Sequence, residues 1–364
     1  MDSEYLVRNP TARLLLKALD AVLPSHHDPR PIAPPKKILL ANLAHLGDVV
    51  ISTAALRAVR EAYPEVTIGF LAGSWSRPIL EGHPAVTTIH DVDHWKLSRR
   101  PISLREKFFL YRAMARNVIR ELREVHYDVA IDLFPYFPNA IPLLHRANIP
   151  VRIGYPSGGF GKLLTHPFPW KDRGEAVAAE QMRLLSPLGI HGASLLPHLP
   201  YSPIDLPSDL PKSRFLLFHM GPPTSPKAWG LTKWRELADE MLRRGYDVVF
   251  TGSTDEEFRT AAQMGLRIHN ACGRLTWRQW AWLIQCADAI VTIDSAAGHI
   301  ASAYRKKVVV LFTGIDQIDR WKPVHPESAA LIERVPCAPC HRKRGCSAMT
   351  CVRGISVEAV LANL

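Results

Sequence analysis

Four loops of this chain set small, hydroxylated and charged residues where an apolar run gives way to helical spacing. In the first, Gly47 and Asp48 follow the run at 37–43 and open the pattern at 49–62. Glycine lets the backbone turn sharply there, and the carboxylate either caps the helix or serves as a general base toward an attacking hydroxyl. A helix N-terminus keeps such a base ionised but weakens it. The second loop, 219–229, holds Thr224, Ser225 and Lys227 among prolines. It reads either as a phosphate site made of backbone, hydroxyl and point charge, or as a connector with a solvated lysine. The third runs Asp294, Ser295, Ala296, Ala297, Gly298, His299 after the apolar stretch 288–293. Small residues at a helix N-terminus admit a pyrophosphate to the unpaired N–H groups, with Asp294 and His299 bracketing it. By itself His299 reads as a core histidine. In the fourth, 252–256, a carboxylate such as that of Glu256 suits a ribose, while Thr254 and Asp255 suit the cap of the next helix; the two roles are compatible.

The elements that must carry these loops alternate regularly. Strands are expected at 37–43, 66–72, 86–92 and 127–134, with helices at 49–62, 74–81 and 103–125 between them. After a proline-rich connection at 189–213 the alternation restarts, with strands at 214–220, 246–251, 268–270, 288–294 and 307–312. Such alternation implies right-handed crossovers and parallel sheets, with ligands in a cleft at the carboxyl ends of the strands. The fold class is therefore α/β, with two doubly wound domains. Ahead of them, 4–23 has the spacing of a short helix that Pro10 interrupts, basic at Arg8, Arg13 and Lys17. It fits a helix packed on the body better than one lying on a membrane surface. Residues 24–35 carry five prolines and read as an extended linker.

With 47% hydrophobic and 22% charged residues, each half can bury a core of its own. No run approaches the length of a membrane-spanning helix, and the acidic start at residues 1–4 is not that of a secretory signal, so a cytoplasmic location is expected. The net charge of +11 calls for anionic partners. Phosphorylated small molecules or lipid headgroups fit; nucleic acid does not, because basic clusters interleaved with aromatics and nucleic-acid-binding motifs are absent from the sequence.

Cys337, Cys340, Cys346 and Cys351 crowd into fifteen residues among His341, Arg342, Lys343 and Arg344. The Cys-x2-Cys step lets two thiolates share a metal, and neighbouring cations favour the thiolate. A structural zinc or iron is expected, with free thiols as the alternative. The cluster follows the last sheet elements in sequence, which argues against a catalytic role.

With its four loops in this order, the chain resembles glycosyltransferase family 9, the heptosyltransferases of lipopolysaccharide core synthesis, over residues 36–364. Residues 43–48 are similar to the family's L-G-D loop, with Asp48 at the place of its proposed base. Lys227, Ala228 and Trp229 resemble its K-x-W motif, whose lysine contacts the donor phosphates. Residues 272–276 resemble its G-R-T-S-L segment, and Asp294 to His299 match its D-T-G-x-x-H spacing, which holds the diphosphate. Glu256 falls near its ribose-binding acid. Ala296 stands where the family usually has glycine, and Asp132-Leu133-Phe134-Pro135 replaces D-x-Q-G.

The resemblance implies a GT-B fold of two Rossmann-like domains, an acceptor side at 36–205 and a nucleotide-sugar side at 206–335. Residues 1–35 precede them, and a cysteine-rich segment at 336–364 follows. It further implies an ADP-heptose donor and a metal-free inverting transfer. The donor would be held by Thr224, Ser225, Lys227, Glu256, Asp294, Ser295, Ala296, Ala297, Gly298 and His299. Lys96, Arg99 and Arg100 would hold an anionic acceptor or simply form a solvated basic loop. A glycolipid acceptor would place the protein at the inner face of the cytoplasmic membrane. Alternatives are a protein or small-molecule acceptor, a nucleotide-sugar epimerase, and a nucleotide-binding protein without catalysis.

Overall fold

Apolar runs buried on both sides form two parallel sheets, one in each of two units, Met1–Leu195 and Leu196–Leu364. The computed structural model describes residues 5–7, 9–28 and 30–364; residues 1–4 and Arg8 of the expected first helix lie outside them.

In unit 1, helix α1 (Pro10–Val22) precedes β1 (Lys37–Asn42), α2 (Leu46–Ala62), β2 (Thr67–Ala72), the short α3 (Arg77–Leu80) and β3 (Thr88–Asp91). Then come α4 (Leu104–Val125), β4 (Val129–Asp132), α5 (Ile141–Arg146), β5 (Val151–Gly154), β6 (His166–Pro167) and α6 (Val177–Arg183). The strands lie in the order β3-β2-β1-β4-β5-β6, parallel throughout, with Ala41 beside both Leu71 and Asp132. Leu39, Leu71, Val118, Leu122, Tyr127 and Leu144 form a core between this sheet and the helices α4 and α5.

Unit 2 repeats the plan. Its elements are β7 (Phe215–His219), α7 (Leu231–Arg243), β8 (Asp247–Thr251), α8 (Asp255–Ala262), β9 (His269–Asn270) and α9 (Trp277–Cys286). They continue with β10 (Ala289–Ile293), α10 (Ala296–Ala303), β11 (Lys307–Leu311), α11 (Ile318–Trp321), β12 (Ser328–Leu331), α12 (Thr350–Arg353) and α13 (Val357–Leu361). The strand order is β12-β11-β10-β7-β8-β9. Phe218, Trp229, Trp234, Phe250, Val291 and Leu311 make its core, closed at the far end of the sequence by Val352, Ile355 and Val360.

Three expectations need correction. Pro10 does not interrupt the first helix: it starts it, behind Asn9, whose side chain accepts from the Ala12 N–H. Proline costs nothing at that position because the first N–H groups of a helix have no partner within it. The helix expected at 74–81 is a 3-10 turn, Ser74–Ser76, followed by the one-turn α3. The stretch 135–188, for which no element was expected, supplies β5, β6, α5 and α6, and β12 was likewise not foreseen. No helix of the described residues is long and apolar enough to cross a membrane.

Candidate functional site

In each unit the strand order reverses between two adjacent central strands, β1 and β4 in unit 1, β7 and β10 in unit 2. Loops leaving the carboxyl ends of such a pair diverge and leave room for a ligand. The loops of Asp48, Lys227 and Asp294 leave these strands, whereas that of Glu256 follows β8 and the basic loop of Lys96, Arg99 and Arg100 follows β3.

In unit 1, α2 begins behind His45 with Asp48 as its third residue, and the Asp48 Oδ2 accepts from the His45 N–H at 3.1 Å. Asp48 therefore does cap its helix, while its side chain stays half-buried rather than sealed. The loop is held from below. Buried Asn42, the last residue of β1, donates to Ser52 Oγ at 2.9 Å and accepts from the Ala44 N–H at 3.0 Å. Ser52 Oγ in turn donates to the Asp48 carbonyl at 2.9 Å, and Trp75 Nε1 donates to the Ala44 carbonyl at 2.8 Å. Sequence reasoning missed Asn42, Ser52 and Trp75. The spacing of Ser52, one helical turn after Asp48, was the available signal.

The basic loop after β3 is also anchored. Arg100 pairs with the buried Asp93 at 2.9 Å, and Asp93 also accepts from the Ser74 N–H and hydroxyl. Lys96 Nζ lies 4.5 Å from the centre of the Phe137 ring, and Arg99 is exposed. His94, buried among Tyr111 and Phe137, has its pKa pushed down to about 3 by burial, with Lys96 adding to the shift. At the end of β4, Asp132 accepts from the Phe134 and Ala140 N–H groups at 3.2 and 2.6 Å and so shapes the segment that replaces D-x-Q-G. Burial pushes its carboxyl up to about 7, against the pull of those N–H donors.

In unit 2, Lys227 comes from the loop after β7 and Asp294 from the end of β10. Lys227 Nζ lies 2.6 Å from Asp294 Oδ2 and 3.0 Å from its carbonyl oxygen, and both side chains are partly exposed. Ser225 Oγ accepts from the Lys227 N–H at 3.1 Å. Ser295 caps α10, its Oγ accepting from the Ala297 N–H at 3.3 Å and meeting Thr292 Oγ1 at 2.9 Å. Ser295 and Ala296 are half-buried, whereas Ala297, Gly298 and His299 are buried. A Cβ on Gly298 would come within 3.0 Å of Val310 Cγ2, so this glycine lets α10 approach β11. Burial pushes His299 down to about 4, which Asp294 opposes and Lys227 reinforces; the imidazole is neutral at pH 7.

Two further loops close this group. Thr224 Oγ1 lies 3.3 Å from Glu256 Oε2. The neighbouring Glu257 spends its carboxylate on the cap of α8, accepting from the Ser253 and Thr254 N–H groups, so Glu256 and not Glu257 reaches Thr224. Arg274 makes a double hydrogen bond to Asp209, 2.8 Å in each arm, which ties that loop to the proline-rich connection. Trp229 is fully buried and donates from Nε1 to the Ile355 carbonyl at 2.9 Å. The indole thereby anchors the Lys227 loop to the segment beyond α12.

The cysteine segment lies closer to this group than its place in the sequence suggests. The Cys340 N–H donates to the Gly314 carbonyl at 2.8 Å, and a Cβ on Gly345 would lie 2.8 Å from Pro226 Cβ, inside the Lys227 loop. Cys351 is buried, Cys340 half-buried, and Cys337 and Cys346 exposed. Among the described residues no three His, Cys, Asp or Glu side chains stand where they could hold one metal ion, and the four thiols are free. In this arrangement they do not fit a shared zinc or iron, and no chemical step is routed through one.

Known proteins are similar to this chain. Lipopolysaccharide heptosyltransferase 3 of Escherichia coli is 26% identical over 76% of this chain and 83% of its own length. Lipopolysaccharide heptosyltransferase 2 of Salmonella typhimurium is 29% identical over 76% and 82%. The solved structure of E. coli ADP-heptose lipopolysaccharide heptosyltransferase II, 22% identical, superposes with a TM-score of 0.67 over 90% of this chain and 97% of that one, which supports the GT-B fold. The family model of glycosyltransferase family 9 (heptosyltransferase) matches residues 115–350. The chain is a glycosyltransferase and belongs to glycosyltransferase family 9.

Proposed function

We propose that the chain moves a heptose from ADP-heptose to a hydroxyl of an anionic lipopolysaccharide-core glycolipid, with inversion, at the cytoplasmic face of the membrane. The observation that carries this reading is the Lys227–Asp294 pair beside the capped N-terminus of α10, at the switch point of a parallel sheet. A cation next to unpaired helix N–H groups favours a diphosphate. The reported relatives, all heptosyltransferases by name, support heptose as the sugar and lipopolysaccharide core as the acceptor class.

In this reading Lys227, Ser225 and the first turn of α10 hold the diphosphate, and Glu256 with Thr224 meets the ribose. The acceptor hydroxyl attacks the anomeric carbon and gives its proton to Asp48. The bond from that carbon to the diphosphate oxygen breaks, and the charge that develops on departing ADP is stabilised by Lys227 and the helix N–H groups. Asp294 keeps Lys227 in place before the donor arrives. Lys96, Arg99 and Arg100 face acidic groups of the acceptor. The zinc or iron expected at the four cysteines is no part of this reaction, and elemental analysis of the purified protein tests it separately.

The test is ADP release from ADP-heptose, with and without a deacylated lipopolysaccharide-core acceptor, beside Asp48→Ala. Acceptor-dependent release that the substitution abolishes is the expected result. ADP binding without release would overturn transfer, and no ADP binding would overturn the donor.

A further inference from the structure

We propose that unit 1 docks on an anionic lipid surface through the outer face of α1 and the first turns of α4. The inference rests on the reading above only for the reason a membrane matters; the observations stand by themselves. In α1, Leu14, Leu15, Leu19 and Val22 are 69, 61, 47 and 80% exposed. Its inner face is built differently. Leu16 packs against Gly159, and Asp20 accepts from the Phe160 N–H at 3.1 Å and from the Tyr5 hydroxyl at 2.5 Å. The one acidic residue of this helix is thus turned inward, on the side that also carries Arg13 and Lys17, whose Nζ lies 5.6 Å from the centre of the Tyr5 ring, and the outer face carries four large apolar side chains.

The start of α4 adds cations to an exposed apolar face. Ile102, Leu104, Phe108 and Phe109 are 38, 64, 43 and 55% exposed. The Arg105 and Arg112 guanidinium groups lie 5.7 and 5.9 Å from the Phe109 and Phe108 ring centres. The single acid of these turns, Glu106, is engaged by the Ser103 N–H at 2.8 Å. Packing links the two helices through α5: α4 packs on it directly, and α5 packs on the 3-10 turn Gly161–Leu163, from which Lys162 reaches the Ala21 carbonyl of α1 at 3.0 Å.

Charge selects the occupant. A second copy seated on the α4 patch would set Arg105 and Arg112 against their own counterparts, with Glu106 already engaged by Ser103. An apolar protein groove would strand the same cations. A bilayer with acidic headgroups meets both needs, leucine and phenylalanine entering the acyl boundary while Arg105 and Arg112 stay with the phosphates.

The experiment is co-sedimentation of the full chain with vesicles of phosphatidylglycerol and phosphatidylethanolamine, and with vesicles of phosphatidylcholine alone. Binding to the acidic vesicles is expected to exceed binding to the neutral ones and to weaken at about 0.5 M salt, where charges are screened within a few ångströms. Leu14→Gln/Leu15→Gln/Leu19→Gln and Phe108→Gln/Phe109→Gln should each bind about tenfold more weakly or worse, and Leu15→Met/Leu19→Met should retain binding. ADP release with the water-soluble deacylated acceptor, measured on the same variants, reads transfer without a membrane, so a failure of the enzymatic reading is seen apart from a failure of docking. The proposal is overturned if the parent chain ignores acidic vesicles at low salt. It is equally overturned if the glutamine variants bind as well as the parent, or if the leucine face instead forms a dimer, seen by light scattering, that the same variant abolishes.

Discussion

The Lys227 ammonium bridges the two loops that diverge from β7 and β10, 2.6 Å from the Asp294 carboxylate and 3.0 Å from its main-chain oxygen. With two of its three donors spent on Asp294, the ammonium locks the two loops together and, in the proposed reading, keeps one donor for a phosphate.

Lys227→Ala should weaken ADP binding about ten- to a hundredfold, as expected for a charge-assisted hydrogen bond. Titration calorimetry at fixed ionic strength checks it. Affinity unchanged within about twofold would place the diphosphate elsewhere.

Asp48 is both a helix cap and the proposed base, and the two roles separate in the measurements. As a cap its loss costs about 1 kcal/mol of stability. As a base its loss lowers kcat by about a hundred- to ten-thousandfold with ADP affinity kept. Asp48→Asn, followed by urea unfolding, ADP titration and turnover, distinguishes them; a drop in kcat matched by an equal drop in folded fraction would leave only the cap.

The fold holds His299 neutral, which sets a direction for pH dependence. Its pKa falls from the ordinary 6.5 to about 4 on folding. Between these values the unfolded chain binds a proton that the folded chain refuses, so stability is intact above pH 6.5 and declines as the pH falls toward 4. Going from about pH 6.5 to about pH 5 should cost about 2 kcal/mol from this residue. Urea midpoints of the parent and His299→Gln at the two pH values check it: the variant should lose less.

Gly298→Val should cost about 1–3 kcal/mol of stability through contact with Val310, since this glycine meets β11 and not solvent. The matching expectation is that any variant protein that folds still binds ADP. A loss of ADP affinity at unchanged melting temperature would assign Gly298 to the ligand instead.

The alternation of apolar runs and helical spacing was enough to place the central strands of both sheets, because a parallel strand buried on both faces is written as a continuous run. The loops at the switch points were legible for the same reason: they stand between such a run and a helix start. Short elements were not. The helices α5 and α6 and strands β5 and β6 are a few residues each, set among prolines and glycines, where periodicity has no length over which to repeat. Nor could spacing show that buried Asp93 would take Arg100 or that Asn42 would carry the Asp48 loop, since these depend on how a loop folds back on itself, or that Gly345 would meet Pro226, which depends on how distant loops meet. Pro10 misled because the same ring that breaks a helix in its middle is welcome at its first residue.

The hydrogen bond from Trp229 to the Ile355 carbonyl joins residues 126 positions apart. At about 5–20 residues per second of synthesis that interval lasts on the order of ten seconds. Over that time the loop bearing Lys227 has emerged while the carbonyl that fastens it has not. The Lys227 loop is therefore fastened late in biogenesis: the nascent chain carries it without this anchor until the segment beyond α12 has been translated and folds back over the indole.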